Sequence, residues 1–282
     1  MFLAVAANPH SGRGTTADEV ARYITEAGAR VKRFELRELA EHVPRDVQRV
    51  VVAGGDGSIG VAARAAHDAG VPLCVVPTGT ANDFARALDL PLDAREACEL
   101  AADPDAATRH HEVGYIDGRP FVNMAAAGLS VEASRHAESH KSAVGKLAYA
   151  LGAIRAGATA ASIRVVVHCD GEQRFAGDAW QVVIGVTGAF GGGSAIGGTR
   201  PDDRELDVAV VPRGPRRSLM RYAYGMRRGK LTSQRRVAHH RGKVIEVEVP
   251  PGEAFNVDGE VLEFRPARFT LLAGGVEVVV PP

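Results

Sequence analysis

Two short turns hold the residues whose types and spacing suit phosphate chemistry. Gly54-Gly55-Asp56-Gly57-Ser58 follows the apolar run Val50-Val51-Val52, and Thr78-Gly79-Thr80-Ala81-Asn82-Asp83 follows Val75-Val76-Pro77. Small residues let main-chain N–H groups approach phosphate oxygens, the hydroxyls of Thr78 and Thr80 add donors, and Asp56 and Asp83 each offer a carboxylate that can hold Mg2+ through water. That set suits a nucleoside triphosphate. A third loop, Asn8-Pro9-His10-Ser11-Gly12, ends the first apolar run and joins the other two. Each turn also has a purely structural reading, in which Asp56 or Ser58 caps one helix and Thr80 another. An ordinary cap needs one glycine; three glycines and an acid at a strand end favour close approach of a ligand.

Other phosphate folds fit less well. Gly12-Arg13-Gly14-Thr15-Thr16-Ala17 is formally G-x-G-x-x-A, with Glu35 placed like a ribose-binding acid. In the dinucleotide fingerprint, however, the first glycine follows the strand almost directly, whereas here Asn8 to Ser11 intervene. No G-x-x-x-x-G-K-[ST] occurs, which argues against a P-loop. The histidines form no zinc set, and no G-x-S-x-G elbow is present.

Four further segments carry charge. Asp258-Gly259-Glu260 and Asp170-Gly171-Glu172 share three letters, and turn physics alone reads both as hairpin turns. Gly191-Gly192-Gly193, followed by Asp202, Asp203, Glu205 and Asp207, is either a solvated acidic loop or a site for a hard cation. From Arg213 to Lys243 there are eleven basic residues and no acid, interleaved with Leu219, Met220, Tyr222, Tyr224 and Met226. Such a stretch is a solvated helix and loop or a basic amphipathic face for an anionic membrane. Nucleic acid is not expected as a partner, because no reading module accompanies the charge.

The elements that must position these residues follow from periodicity. Phe2–Ala7, Arg30–Glu35, Arg49–Ala53 and Leu73–Val76 read as strands, and Thr15–Ala27, Ser58–Ala69, Asn82–Leu88 and Ala94–Ala102 as helices. That alternation predicts a parallel α/β sheet with its ligand at the carboxyl ends of the strands, where all three loops lie. Beyond about Pro104 the pattern becomes strands separated by Asp-Gly turns, with helical stretches over Val131–Ala158 and Ser218–Gly229. The expected division is 1–105 for a nucleotide-binding α/β domain and 106–269 for a β-rich second domain. The terminal strand Val276–Val280 is apolar on both faces, so the tail 270–282 can complete the first domain.

Composition agrees with a two-domain globular chain of 282 residues. Lysine plus arginine and aspartate plus glutamate number 34 each, so any electrostatic preference is local. Three scattered cysteines indicate reduced thiols and a cytoplasmic protein. No segment approaches the roughly 20 apolar residues of a transmembrane helix. A lipid substrate would therefore be met from outside the bilayer.

Taken in order, Asn8-Pro9-x-Ser11-Gly12, Gly54 to Ser58, Pro77-x-Gly79-Thr80-x-Asn82-Asp83-Phe84-Ala85-Arg86, Phe121-x-Asn123, Gly191 to Gly193, Asp203-x-x-Leu206-Asp207-Val208 and Asp258-Gly259-Glu260 resemble the diacylglycerol kinase catalytic-domain family, which includes soluble bacterial lipid kinases and sphingosine kinases. The resemblance covers essentially the whole chain. It implies an N-terminal α/β domain like those of phosphofructokinase and NAD kinases, a C-terminal mainly antiparallel β-sandwich domain, and ATP with Mg2+ between them. It also implies that Asp258 is the general base, that Glu260 neighbours the metal, and that the enzyme works in the cytoplasm at a membrane surface, with a homodimer as an option. Two positions depart from the family. Arg204 replaces the glycine of a structural metal loop, which bears on Asp203, Glu205 and Glu112 as ligands, and Gly128-Leu129-Ser130-Val131 replaces Gly-Phe-Asp-Ala at the substrate side. The alternatives are a kinase for NAD or another polar substrate, and a regulator that binds nucleotide or lipid without turnover.

Overall fold

A computed structural model describes residues 1–8, 15–131, 161–187, 189–190, 194–197, 204–264 and 266–282. Ser11, Gly12, Gly191 to Gly193, Asp203 and nearly all of the helical stretch expected over 131–158 lie outside the described residues.

The N-terminal sheet is built from strands whose alternate residues serve two cores. β1 (Phe2–Ala7), β2 (Arg30–Phe34), β3 (Arg49–Gly54) and β4 (Leu73–Pro77) pair in parallel in the order β2-β1-β3-β4. Ala4, Ala6, Val50 and Val52 face one core, and Leu3, Val5, Val51 and Ala53 face the other. A strand covered on both faces needs an unbroken apolar run, which is why Val50-Val51-Val52 shows no alternation.

Helices supply the covers. On one side α1 (Ala17–Glu26) brings Val20 and Ile24, and α5 (Ala94–Ala102) brings Ala97 and Cys98. On the other side α2 (Leu36–Glu41) brings Leu39, and α3 (Asp56–Ala69) brings Ile59, Ala62, Ala63 and Ala66. The starts are set locally: Thr16 and Glu19 form a capping box on α1, and Asp93 accepts the N–H groups of Arg95 and Glu96 on α5. The sequence reading did not include α2.

Two later strands finish this sheet. β5 (Thr108–His111) stands at its edge, and β19 (Val276–Val279), the last strand of the chain, enters between β4 and β5, parallel to the first and antiparallel to the second.

Among the described residues, Ala189–Phe190 and Ser194–Ala195 form a small antiparallel pair, and the other strands form an eleven-stranded antiparallel sheet with the central order β16-β8-β10-β9-β15-β18-β6-β7. Its ranges are β6 (Gly114–Ile116), β7 (Arg119–Phe121), β8 (Met124–Gly128), β9 (Ile163–Cys169), β10 (Glu172–Gly185), β13 (Leu206–Pro212), β14 (Ala238–Gly242), β15 (Ile245–Glu248), β16 (Phe255–Val257), β17 (Glu260–Leu262) and β18 (Ala267–Leu271). Long β10 pairs with β9 through its first half, and with β8 and β13 through its second, so the sheet folds over on itself. The inner side is filled by Phe121, Phe255 and Phe269, all fully buried, with Phe269 meeting the other two rings edge-on at centroid distances of 6.2 and 5.7 Å. On the outer side, Met124, Trp180 and Ala209 are covered by α6 (Arg217–Arg227) through Tyr222. The expected architecture is the one observed: a parallel α/β domain followed by an antiparallel, sandwich-like β-domain.

Helix α3 is the seam between the lobes. A Cβ added at Gly60 would lie 3.0 Å from the Pro120 carbonyl oxygen, Arg64 Nη1 donates to the Tyr115 hydroxyl at 3.2 Å, and His67 Nδ1 donates to the Gly275 carbonyl at 2.6 Å. Small residues on α3 are thus what lets the second lobe approach the glycine-rich turns at its N-terminus.

Candidate active site

The turns after β3 and β4 leave the sheet side by side because Gly54 is in register with Pro77. Thr78 N–H donates to the Gly54 carbonyl at 3.1 Å. The packing is tight: a Cβ on Gly79 would sit 2.6 Å from the Gly55 Cα, and one on Gly54 would sit 2.8 Å from the Ser58 Cβ. The sequence reading credited these glycines to ligand approach; contact between the turns already requires Gly79, and contact within the first turn requires Gly54. Asn8, at the end of β1, joins the group through Nδ2, which donates to Ser58 Oγ at 3.0 Å.

Asp56 and Asn82 fix the second turn. Asp56 Oδ1 accepts from Phe84 N at 2.9 Å and Oδ2 from Asp83 N at 3.2 Å, so its carboxylate caps α4 (Asp83–Ala87) across a gap of 27 positions. Asn82 stands before that helix at φ 51°, a left-handed conformation that asparagine tolerates. Its Nδ2 donates to the Gly79 carbonyl at 3.0 Å, while its buried Oδ1 has no hydrogen-bond partner among the described residues. Thr78 and Asp83 are both buried.

From the second lobe, Asp258 enters at the tip of the β16–β17 hairpin. Asp258 and Gly259 have φ values of 45° and 96°, the two left-handed residues of a type I′ turn, and Asp117-Gly118 and Asp170-Gly171 have the same signs. All three aspartates accept main-chain N–H groups: Asp117 that of Arg268, Asp170 those of Lys243 and Val244, and Asp258 those of Val122, Asn123 and Met124 at 2.7 to 3.0 Å. What distinguishes Asp258 is position. Burial pushes its carboxyl up to about 7 against the opposing effect of those N–H donors, and the charge of Asp56 adds to the rise.

Asn123 links the two acids and was absent from the expected site. Its N–H donates to Asp258 at 3.0 Å, its Nδ2 donates to Asp56 Oδ1 at 3.0 Å, and its Oδ1 accepts from Thr187 Oγ1 at 3.1 Å. The available signal was a lone asparagine in the run Phe121-Val122-Asn123-Met124-Ala125, since a buried amide must find partners.

Glu260 pairs with Arg119, and its Oε1 would lie 2.9 Å from a Cβ placed on Gly57. The second lobe therefore reaches the first glycine-rich turn through this carboxylate as well.

The residues present fit a polyphosphate. A cleft of about 410 Å3 opens beside the turns, lined by Thr78, Thr80, Asn82, Arg86 and Arg95 among others, which combines hydroxyl donors and two guanidinium groups. A Mg2+ fits more narrowly: Asp56 spends three acceptor positions on protein donors, which leaves about one for a metal-bound water.

The second acidic cluster is arranged differently. Arg204 has a left-handed backbone, at φ 62°, a conformation that favours glycine, and its N–H donates to buried Glu112 at 2.7 Å. Glu205, expected as a metal ligand, lies 3.4 Å from Arg241 Nη1; the same guanidinium is 3.4 Å from Asp207 through Nε, and His239 Nε2 is 2.6 Å from Asp207. A fixed guanidinium between two carboxylates suits a built-in cation better than a divalent metal. Among the described residues, no three His, Cys, Asp or Glu side chains converge on one point.

Residues 3–114 match the family described as the diacylglycerol kinase catalytic domain, and residues 123–280 match the YegS C-terminal NAD kinase beta sandwich-like domain. The chain belongs to this family of lipid kinases. Similar to it is the diacylglycerol kinase of Staphylococcus carnosus (strain TM300), 28% identical over 267 residues, which cover 93% of this chain and 85% of that one. Among solved structures, a diacylglycerol kinase from Bacillus anthracis str. Sterne superposes with a TM-score of 0.76 at 22% identity, covering 99% of this chain and 97% of the other. An NAD kinase from Archaeoglobus fulgidus in complex with ATP superposes with a TM-score of 0.52 at 12% identity, covering 99% and 93%. These two likenesses are of fold. They match the lipid kinase's two-lobed architecture.

Proposed function

We propose that this lipid kinase transfers the γ-phosphoryl group of ATP to a lipid hydroxyl, most simply that of diacylglycerol, at a cytoplasmic membrane surface that it meets peripherally. One observation carries the proposal: a carboxyl held near neutrality, Asp258, is tied through Asn123 to the Asp56 turn of the other lobe. Asn8, Ser11, Gly12, the Gly54–Ser58 turn and the Thr78–Asp83 turn form the donor half, with Asp56 and Asp83 on the metal side. Asp258 takes the proton from the acceptor hydroxyl, and a base with a pKa near 7 is matched to that task. When bound, ATP supplies the phosphoryl group and Mg2+ offsets its charge. The chain contributes positioning: Asn123 keeps the two acids in register, and Glu260 lies beside Gly57, next to the metal side.

The test is incubation with γ-labelled ATP, Mg2+ and a total lipid extract, followed by identification of the labelled product by mass spectrometry. Label in a phosphorylated diacylglycerol, lost in Asp258→Asn, supports the proposal. Label in NAD added as a rival acceptor, or in no product at any metal concentration, overturns it.

A further inference from the structure

Helix α6 points a mixed basic and apolar face at solvent. Along it, Arg217, Met220, Arg221, Tyr224, Arg227 and Arg228 are all exposed, Met220 to 80% and Tyr224 to 62%. At 100° per residue these positions fall within an arc of about 120°, while Leu219, Tyr222 and Met226 turn inward to the sheet. The exposed stripe thus has an apolar spine, Met220 and Tyr224 one turn apart, flanked by arginines on both sides.

The surroundings extend the charge. Arg216, Lys230, Arg235 and Arg236 are also exposed, Arg213 at the start of the segment pairs with Asp178 at 3.4 Å, and no acidic residue occurs in sequence between Arg213 and Lys243 in a chain whose total charges balance. Several of these cations lie over rings, with Arg228 5.1 Å from the Tyr224 centroid and Arg216 5.6 Å from that of Trp180. A helix held only by its inner face needs neither an exposed methionine nor an exposed tyrosine. Together with one-signed charge, they match the headgroup boundary of an anionic bilayer, where arginine stems and aromatic rings lie at the surface and each nearby cation contributes about 1 kcal/mol.

The location also suits substrate transfer. The inner face of α6 packs on Met124 and Ala126 of β8, and the Met124 N–H is one of the three that hold Asp258. The exposed helix and the strand that positions the proposed base thus share one buried cluster.

We propose that the outer face of α6, with Met220 and Tyr224 inserted between arginines, docks the kinase on an anionic lipid bilayer. The inference rests on the lipid-kinase reading for its biological use but not for its test.

The experiment is co-sedimentation of the full chain with vesicles of phosphatidylcholine alone or with 30 mol% phosphatidylglycerol, alongside turnover of a monomeric short-chain diacylglycerol without vesicles. Binding should require the anionic lipid and weaken as salt rises. It should fall at least tenfold both in Met220→Ser/Tyr224→Ser and in Arg217→Ala/Arg221→Ala/Arg228→Ala, with vesicle-free turnover unchanged in each. The inference is overturned if the parent ignores anionic vesicles, if both variants bind like the parent, or if the serine pair instead converts a dimer to a monomer in light scattering. Absence of turnover on the short-chain lipid, with vesicle binding intact, would remove the proposed reaction and leave the docking face standing.

Discussion

Asp56 and Asp258 come from different lobes and are joined through a single residue: Asn123 gives its side-chain amide to the first and its main-chain N–H to the second, each at 3.0 Å. An exchange of Asn123 for leucine keeps the volume and the main-chain donor while stripping the amide from Asp56 and Thr187. Loss of a hydrogen bond to a charged acceptor is worth about 1.5–3 kcal/mol, which corresponds to a kcat reduced on the order of 10- to 100-fold. The effect should appear in kcat more than in KM for ATP, because the glycine-rich turns keep their own contacts. Steady-state kinetics with varied ATP would check it; a change confined to KM would place Asn123 in nucleotide binding instead.

The raised carboxyl of Asp258 gives a pH dependence with a definite sign. As a base it must be ionised, so kcat/KM should rise with pH through about 7 and level off above, and Asp258→Asn should lose turnover while retaining ATP binding. Stability runs the other way. The folded value lies above the unfolded value near 4, so this group's contribution is fully present below pH 4 and is lost as pH rises through 7. Thermal melts at pH 5 and pH 8 should therefore shift in favour of Asp258→Asn at the higher pH. Parallel pH curves for the two proteins would contradict the assignment.

Much of this was legible in the sequence where one local rule acts alone. The strand Phe2–Ala7 and the helix Ala94–Ala102 have the same bounds in the sequence reading and in the structure. Helix α2 escaped because six residues with one buried side chain, Leu39, leave almost no periodic trace. Turn chemistry alone left the three Asp-Gly turns indistinguishable, since each aspartate performs the same main-chain capping, and it was the ordered family motif that picked out Asp258. What singles out Asp258 is contact with a segment some 135 positions away, which no local pattern encodes. Asn123 stood in the same family motif, but its bridge between Asp56 and Asp258 is equally non-local and was not assigned.

Gly79 and Gly57 provide a contrast in what a methyl group meets. At Gly79 the added carbon would press on the Gly55 backbone at 2.6 Å, so the two turns must separate. At Gly57 it would meet the end of the Glu260 side chain at 2.9 Å, which can swing aside. Gly79→Ala should therefore weaken ATP binding by tenfold or more, whereas Gly57→Ala should change it less than about threefold. Isothermal titration with ATP would separate the two; equal losses would mean that both glycines face the nucleotide directly.

Arg241 offers a test of the acidic cluster that is independent of turnover. Asp207 is 1% exposed and has the Arg241 guanidinium and the His239 imidazole as polar neighbours, so Arg241→Ala leaves a buried carboxylate with the histidine alone. Removing one partner of a buried ion pair costs about 3–5 kcal/mol, and the retained histidine places this case at the lower end. The melting temperature should fall by several degrees. If Arg241 is the cation of this cluster, the nucleotide-free parent should melt at the same temperature with EDTA or with Mg2+, whereas the alanine variant should regain part of its loss when Mg2+ is added. A parent protein that loses several degrees in EDTA would instead show that a divalent ion is bound beside Glu205 and that Arg241 only accompanies it.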